Sequence, residues 1–210
     1  MINEVFSALI AYLLGATPSA FLIVRHFAKK DIRKEGSGNV GAMNSYETTG
    51  NKFIGLYVLM LDMAKGMLAV YIAKIISNND FFAISLAAVF AVLGHNFSIY
   101  LKFKGGRGLA CALGALCLIN PYPGVLWILM WLFTKSLISK NVHVQNAVAT
   151  LTMPLLLFLT PSDFLRITNI DQYFDKTEFI LLVVNIAIVI LIGHFQPLKE
   201  MIIEYRNRKD

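Results

Sequence analysis

Residues 93–110 read LGHNFSIYLKFKGGRGLA, a cationic stretch that separates two strongly apolar segments of the chain. Its cations are interleaved with glycines, in the order Lys102, Lys104, Gly105, Gly106, Arg107 and Gly108. Cations at a membrane surface often contact anionic lipid head groups, but such contacts gain nothing from glycine. Glycine lets the backbone approach a ligand closely, and both lysine and arginine bind phosphate. The pattern therefore favours a phosphate-binding loop, with lipid contact as the alternative.

The composition indicates a membrane protein. Hydrophobic residues make up 57% of the 210 residues, whereas soluble domains are typically ~45–50% apolar. A spanning helix needs ~20 mostly apolar residues. Seven segments approach that length: residues 5–24, 53–75, 81–101, 108–119, 121–138, 144–160 and 179–195. The fourth is too short for an ordinary span and is compatible with a tilted or half-buried helix. The sequence predicts an all-α integral membrane protein with about seven transmembrane helices, in a single domain over residues 1–210.

The distribution of lysine and arginine predicts the orientation. Of the 19 such residues, 15 fall in loops on one side of the predicted membrane. The other side carries only Arg166 and Lys176, while Lys65 and Lys74 lie within the second apolar segment. Cytoplasmic loops are the ones enriched in Lys and Arg. We therefore expect the N-terminus outside and the C-terminus in the cytoplasm. Because the formal net charge of +6 is spread over membrane loops, we do not expect nucleic acid as a partner.

A second glycine-rich stretch, GSGNVGAMN at residues 36–44, lies on the same predicted side. Successive backbone N–H groups in such a loop can form an anion-binding nest. The candidate binding residues are Ser37, Gly38, Asn39, Gly41 and Asn44. A plain turn is the alternative interpretation, because glycine, serine and asparagine also dominate turns.

Three titratable residues lie within the predicted membrane segments or at the end of one. His95 is near the inner end of the third segment, where a general base, a substrate ligand or a structural histidine would each fit. Asp62 and Lys65 are three residues apart within the second segment, and so share one helical face. A structural ion pair or a direct substrate contact would explain them. No metal-binding motif is present, so we expect neither a metal nor a cofactor.

Three motifs resemble a known family. GSGNVGAMN, LDMAKG and LGHNFSIYLKFKGGRGLACALG occur in this order within the seven segments. They closely resemble those of the bacterial acyl-phosphate glycerol-3-phosphate acyltransferases, the PlsY family. The resemblance implies a multi-pass enzyme of the bacterial cytoplasmic (inner) membrane, with its active site facing the cytoplasm. It also implies transfer of an acyl chain from acyl phosphate to the 1-hydroxyl of glycerol 3-phosphate. The product, lysophosphatidic acid, starts phospholipid synthesis, and the reaction needs no metal.

The resemblance also assigns roles to residues. It implies that His95, Lys104 and Arg107 are catalytic, with Arg107 standing where the family usually has lysine. The substrate-binding set consists of Ser37, Gly38, Asn39, Gly41, Asn44, Lys102, Gly105, Gly106, Gly108 and His194. The proton of the attacking hydroxyl could pass to His95 or to a substrate phosphate oxygen, and the residues alone do not choose between them.

The chain also departs from the family pattern. Met43 replaces a threonine of the first motif, and Glu47 stands where an arginine is usual. Near the C-terminus His194 is present, but cationic and amide positions are taken by Phe195, Pro197 and Glu200. Lys34, Lys52 or Lys199 could replace the missing cations, and His143 could join a rebuilt site. These departures keep two alternatives open: a paralogue with another acceptor or donor, and an inactive membrane protein that binds lipid or phosphate.

Overall fold

The computed structural model describes residues 2–170 and 175–207, and all the secondary structure in these two ranges is helical. The chain forms two compact units, of which the first ends at Ile119 and the second begins at Asn120. Each unit is described by itself below. The prediction that the whole chain is one functional domain stays a prediction.

The described part of the first unit, from residue 2 onward, has six α-helices and two short 3₁₀ turns. The helices are α1 (Ile2–Ala16), α2 (Ser19–Ala28), α3 (Ala42–Thr49), α4 (Lys52–Ser77), α5 (Phe81–Asn96) and α6 (Leu109–Cys117). The 3₁₀ turns are Ile32–Lys34 and Ile99–Leu101. The first apolar segment is thus broken between α1 and α2. Proline explains the break, because Pro18 has no N–H to donate and disfavours helical geometry at Thr17.

The described residues of the second unit form four helices. They are α7 (Tyr122–Leu137), α8 (Val142–Leu159), α9 (Ser162–Thr168) and α10 (Lys176–Asn207). Helix α8 packs on both α7 and α10. Its start is set by Asn141, whose side chain accepts hydrogen bonds from the N–H groups of His143 and Val144, the usual chemistry of an N-cap.

Five stretches of the described chain are long and apolar enough to cross a membrane. They are Ile2–Ala28, Lys52–Ser77, Phe81–Leu101, Val142–Leu159 and Lys176–Ile203. The other two predicted segments form α6, with nine residues, and α7, with 16 residues. At 1.5 Å per residue, α6 is about 13 Å long and α7 about 24 Å, against a hydrocarbon core of about 30 Å. Seven full crossings are therefore a prediction, while five stretches of the described chain meet the length requirement.

The charge distribution does not choose between five and seven crossings. If α6 and α7 both cross, or if neither does, every cation-bearing loop keeps the same side. Only the connection between these two helices, residues 118–121, changes side, and it carries no charge. Two of the 15 predicted cytoplasmic cations, Arg208 and Lys209, lie outside the described residues. The predicted orientation is thus the same for five and for seven crossings.

Small residues let the helices of the first unit approach closely. Helix α4 packs on α6, and α1 packs on α5. A Cβ at Gly66 of α4 would overlap the Cys111 carbonyl of α6, and a Cβ at Gly114 of α6 would overlap the Met63 carbonyl of α4. Glycine contacts of this kind are typical of membrane helices, where close backbone approach drives association. This packing positions the helices that carry the candidate site.

Candidate active site

A narrow cleft in the first unit collects residues from four parts of the chain. The break between α1 and α2 supplies Thr17, and α4 supplies Asp62 and Lys65. Helix α5 supplies His95, and the cationic loop after it supplies Gly106. The structure therefore brings together the histidine, the buried charge pair and the cationic loop, which the sequence analysis identified separately.

The cationic loop folds back onto the helix end that carries His95. The N–H of Gly105 donates to the Asn96 carbonyl at 3.0 Å, and the N–H of Gly106 donates to the His95 carbonyl at 2.9 Å. A Cβ at Gly106 would overlap Nε2 of the His95 ring. Glycine is therefore needed at Gly106 for the loop to lie directly on the histidine.

The two glycine loops meet at Gly106. A Cβ there would also lie 2.7 Å from the carbonyl oxygen of Val40, in the first loop. Val40 belongs to a buried apolar cluster that ties this loop to α2, to α4 and to the turn after α5. The buried members of the cluster are Ala20, Val24, Ile32, Val40, Val58 and Leu101. Apolar packing thus holds the two predicted anion-binding loops against each other.

The cationic loop combines positive side chains with the start of a helix. Lys102 and Lys104 are exposed, and Arg107 is half-buried. Gly108, at φ +85°, turns the chain into α6, so the first N–H groups of α6 follow the cations directly. No side chain of the described residues caps this helix start. Unsatisfied N–H groups, the helix dipole and nearby cations all favour an anion here.

Strained backbone occurs in the same loop. Lys102 and Phe103 have φ values of 54° and 63°, in the left-handed region that side chains other than glycine rarely adopt. Such residues cost of order 1–3 kcal/mol each and tend to cluster at functional sites. The strain is consistent with a loop whose shape serves a ligand.

The first glycine loop is folded around the buried side chain of Asn44. Its amide oxygen accepts from the Ser37 N–H at 3.1 Å. Its amide nitrogen donates to three backbone carbonyls: those of Ile32, Glu35 and Asn39, at 3.2, 3.1 and 2.9 Å. Asn44 therefore shapes the loop, and we now expect it to support the site rather than to touch a substrate.

The backbone N–H groups of this loop also have partners. The N–H of Gly38 donates to Glu35 and that of Gly41 to Asn39, while that of Ser37 donates to Asn44. These groups hold the loop itself together, so the predicted nest does not form from them. Side-chain contacts from exposed Ser37 and half-buried Asn39 remain the prediction for substrate binding.

Charges next to the first loop are largely paired. Arg33 lies 2.7 Å from Asp31, and Lys30 lies 3.5 Å from Glu35. Hydrogen bonds from the Arg33 side chain lower the pKa of the Asp31 carboxyl to about 2. Glu47 is exposed, and a Cβ at Gly36 would lie 3.8 Å from one of its carboxylate oxygens. The residue that departs most from the family pattern therefore flanks this loop.

The charge pair of α4 is buried beside the histidine. Nζ of Lys65 lies 2.9 Å from Oδ1 of Asp62, and Nδ1 of His95 lies 3.7 Å from the same oxygen. Side-chain exposures are 9% for Lys65, 3% for Asp62 and 6% for His95. Lys65 also donates to the Thr17 carbonyl at 2.9 Å. The sequence predicted the ion pair, but it could not predict that His95 faces it.

His194 belongs to the second unit, where it is fully buried. The Trp131 indole N–H donates to Oδ1 of Asn146 at 3.1 Å, so the Asn146 amide nitrogen faces Nε2 of His194, at 3.3 Å. Nδ1 of His194 then donates to the Ile190 carbonyl at 2.9 Å. The contact at Nε2 joins α10 to α8, while the bond from Nδ1 lies within α10. The ring of His143 lies 6.4 Å away in edge geometry. Substrate binding by His194 stays a prediction.

The other departures near the C-terminus lie on α10. Phe195 and Glu200 are exposed, Pro197 is half-buried, and Glu200 accepts a hydrogen bond from Gln196 at 2.8 Å. Lys199 is exposed on the same helix. Among the residues that the structure describes, no group of three His, Cys, Asp or Glu side chains could hold a metal ion.

Comparison with known families assigns the chain. The glycerol-3-phosphate acyltransferase family matches it over residues 5–204. The chain belongs to that family. It is 43% identical over 152 residues to a glycerol-3-phosphate acyltransferase of Pelagibacter ubique, covering 72% of this chain and 77% of the relative. It is 32% identical to the one of Endomicrobium trichonymphae, over 99% of this chain and 96% of the relative.

Solved structures of the family agree with the fold. Two crystal structures of PlsY, an integral membrane glycerol 3-phosphate acyltransferase, match this chain with TM-scores of 0.78 and 0.76. Both are 27% identical and cover 96% of this chain and 92% of the other. One is the glycerol 3-phosphate form and the other the lysophosphatidic acid form. The predicted family and the all-helical membrane fold are confirmed, and membership makes this chain an acyltransferase.

Proposed function

We propose that this protein transfers an acyl chain from acyl phosphate to the 1-hydroxyl of glycerol 3-phosphate, and so forms lysophosphatidic acid. Family membership and the forms of the two related crystal structures support the acceptor and the product. The donor is proposed from the resemblance of the three sequence motifs. We propose neither a metal nor a cofactor.

One observation carries the proposal: two glycine loops meet over a buried histidine, next to three cations and an uncapped helix start. Both proposed substrates carry phosphate, and the donor also carries a long apolar chain. A cationic loop between apolar helices suits both properties. We assign Lys104 and Arg107 to the phosphate charge, and Ser37, Asn39 and Lys102 to substrate contacts.

The proposed reaction is an acyl transfer by direct attack. The acceptor hydroxyl oxygen bonds to the acyl carbonyl carbon, and the bond from that carbon to the phosphate oxygen breaks. Phosphate leaves with the electron pair of that bond. The hydroxyl proton passes to His95 or to a substrate phosphate oxygen. Cations at the loop stabilise the charge that develops on the leaving phosphate, a contribution typically worth ~3 kcal/mol for each well-placed donor.

We also propose the membrane orientation. The protein would lie in the bacterial cytoplasmic membrane, with the N-terminus outside and the cationic loop in the cytoplasm. Single cysteines provide the test: Lys140→Cys and Asp163→Cys, each in a chain with Cys111→Ala and Cys117→Ala. In intact spheroplasts an impermeant maleimide should label the second and spare the first. Labelling of Lys140→Cys with Asp163→Cys spared would show that the orientation is the reverse of the one proposed.

The purified protein in lipid nanodiscs tests the reaction. Phosphate release from palmitoyl phosphate is measured with and without glycerol 3-phosphate, and lysophosphatidic acid is identified by mass spectrometry. Acceptor-dependent release with that product supports the proposal. The proposal would be overturned if the folded protein released no phosphate in response to glycerol 3-phosphate while an active relative did so in the same assay.

A second candidate function has one observation in its favour. Glu47 places a carboxylate beside Gly36, where an anionic acceptor would meet repulsion. An acyltransferase with an uncharged acceptor would not meet this repulsion. The same assay with glycerol in place of glycerol 3-phosphate separates the two candidates, because an uncharged acceptor should then be the better substrate.

A further inference from the structure

We propose that the turn after α5 is inserted into the surface of the bilayer and holds the cationic loop at that depth. This turn, residues 98–103, is called the interface turn below. Its partner is the lipid of the leaflet that borders the candidate site. The inference rests on the proposed function and deepens it, because it says from where the site takes its acyl donor.

The outward side chains of the interface turn are apolar. Ile99 is 49% exposed, Tyr100 is 56% exposed and Phe103 is 60% exposed. Apolar side chains gain free energy when they are removed from water. The turn lies at the end of Phe81–Leu101, one of the stretches that could cross a membrane, and aromatic residues such as tyrosine are enriched where a span meets the lipid head groups. Lipid is therefore the partner that fits this surface.

The inward side of the interface turn is tied to the first unit. Leu101 is buried in the apolar cluster described above. Ser98 is also buried and donates to the Ala16 carbonyl. Next to it, the Tyr12 hydroxyl donates to the Phe97 carbonyl at 2.8 Å. The turn thus contacts the helices of the site on one side and presents its exposed side chains on the other.

Much of the backbone of the interface turn is hydrogen-bonded internally, as contact with lipid requires. The Ser98 carbonyl accepts from the N–H groups of Leu101 and Phe103, at 3.0 and 2.8 Å, and the Ile99 carbonyl accepts from Lys102 at 3.4 Å. This pattern often ends a helix and normally places glycine in the left-handed region. Here Lys102 and Phe103 adopt that conformation, which is unfavourable for them. Contact between Phe103 and lipid would offset this strain, whereas glycine would give no such contact.

The phosphate-binding residues begin directly after the interface turn. Lys104 follows Phe103, and its N–H donates to the Leu101 carbonyl at 3.2 Å. Gly105 and Gly106 come next. Because no free chain separates the two parts, the depth of Phe103 fixes the depth of Lys104. The proposed donor has its phosphate among the head groups and its acyl chain among the lipid tails. A loop held at this depth would bind the donor without extracting it from the leaflet.

Spin labels test the insertion without turnover. A nitroxide is attached to Tyr100→Cys or Phe103→Cys, each in a chain with Cys111→Ala and Cys117→Ala, in vesicles of phosphatidylethanolamine and phosphatidylglycerol. Electron paramagnetic resonance measures collisions with oxygen, which concentrates in the bilayer, and with a water-soluble nickel chelate. The control is a label at Lys34→Cys, an exposed position in a polar turn. We expect the ratio of oxygen to nickel collisions to be about fivefold higher on the interface turn than at the control.

Two results of this experiment would overturn the proposal. A ratio equal to that of the Lys34→Cys label would place the turn in water. Protection of both turn labels from both reagents would mean that protein, such as a second copy of the chain, covers the turn. A second measurement keeps the native cysteines: fluorescence added by Phe103→Trp should be quenched by lipids brominated near the head group, and fluorescence added by Lys34→Trp should not.

A double variant tests the effect on the donor. Tyr100→Ser combined with Phe103→Ser removes both aromatic rings from the turn. We expect the KM for palmitoyl phosphate in nanodiscs to rise about tenfold, because interfacial binding scales with the apolar area buried. The KM for glycerol 3-phosphate should stay within about twofold. An unchanged KM for palmitoyl phosphate would overturn the role in donor binding, and so would an equal rise in both KM values, which would indicate a general distortion of the site.

The matched control replaces Phe53 and Tyr57 by serine. Both are exposed and lie one helical turn apart near the start of α4, on the same predicted side of the membrane. No glycine loop follows them, so both KM values should stay within about twofold. The readouts also separate the two proposals. If the unaltered protein shows no acceptor-dependent turnover while the labels on the interface turn lie in the bilayer, the reaction is wrong and the insertion stands.

Discussion

Alanine at Gly106 should reduce the reaction rate about a hundredfold. The added Cβ would overlap Nε2 of His95 and would lie 2.7 Å from the Val40 carbonyl oxygen. An ordinary contact begins near 3.4 Å, so this oxygen must retreat by about 0.7 Å, or the ring or the cationic loop must move. Overpacking of this kind typically costs ~1–3 kcal/mol. A displacement of ~1 Å in reacting groups can cost ~100-fold in rate.

The assay measures release of phosphate from palmitoyl phosphate in nanodiscs, with glycerol 3-phosphate varied to separate kcat from KM. Gly50→Ala is the control. Gly50 has φ +65° and no atom within 4 Å of an added Cβ, so alanine there brings backbone strain without overlap. We expect its kcat within about twofold of the unaltered protein. Folded Gly106→Ala protein with turnover within threefold would refute the view that the loop must lie directly on His95.

Three other substitutions test different parts of the site. Lys104→Ala should lower kcat at least 100-fold, the ~3 kcal/mol scale of a lost charge-stabilising donor, and near-normal turnover would remove this lysine from the mechanism. Glu47→Arg should lower the KM for glycerol 3-phosphate, because it replaces a repulsive charge beside the first loop; an unchanged KM would place the acceptor elsewhere. Lys65→Met should lower the free energy of unfolding by about 3–5 kcal/mol, because Asp62 stays buried without its partner. Arg166→Met removes a cation from an exposed pair and should change the free energy of unfolding little. Equal losses of unfolding free energy for the two variants, measured by SDS titration, would contradict this reasoning.

Much of the fold was predictable because the length of an apolar segment can be read from contiguous residues. The apolar segments predicted the helices, and the structure places a helix in each of them. The break at Pro18 was missed, although proline in an apolar run is a known signal. The number of crossings was not predictable, since α6 and α7 are short and the charged loops fit five or seven crossings equally well.

The candidate site was predicted as separate pieces. The interleaved cations and glycines indicated an anion site, and the spacing of Asp62 and Lys65 indicated an ion pair. The role first expected for Asn44 did change, because its side chain folds the loop through four hydrogen bonds. A buried asparagine that holds a loop together cannot be distinguished by sequence from an asparagine that binds a ligand, because both roles use the same amide donors and acceptor.

The sequence by itself determined that this protein lies in a membrane, where its helices lie along the chain, and which family it belongs to. These depend on the length of apolar runs, on the side of the membrane that carries positive charge, and on the order of contiguous motifs. Only the tertiary structure decided which groups meet. Gly106 lies on His95 and against Val40, and Asp62 faces the same ring, although these residues are up to 66 positions apart in the chain. Contacts at that separation depend on how helices pack, and close glycine contacts between α4 and α6 and between α1 and α5 set that packing.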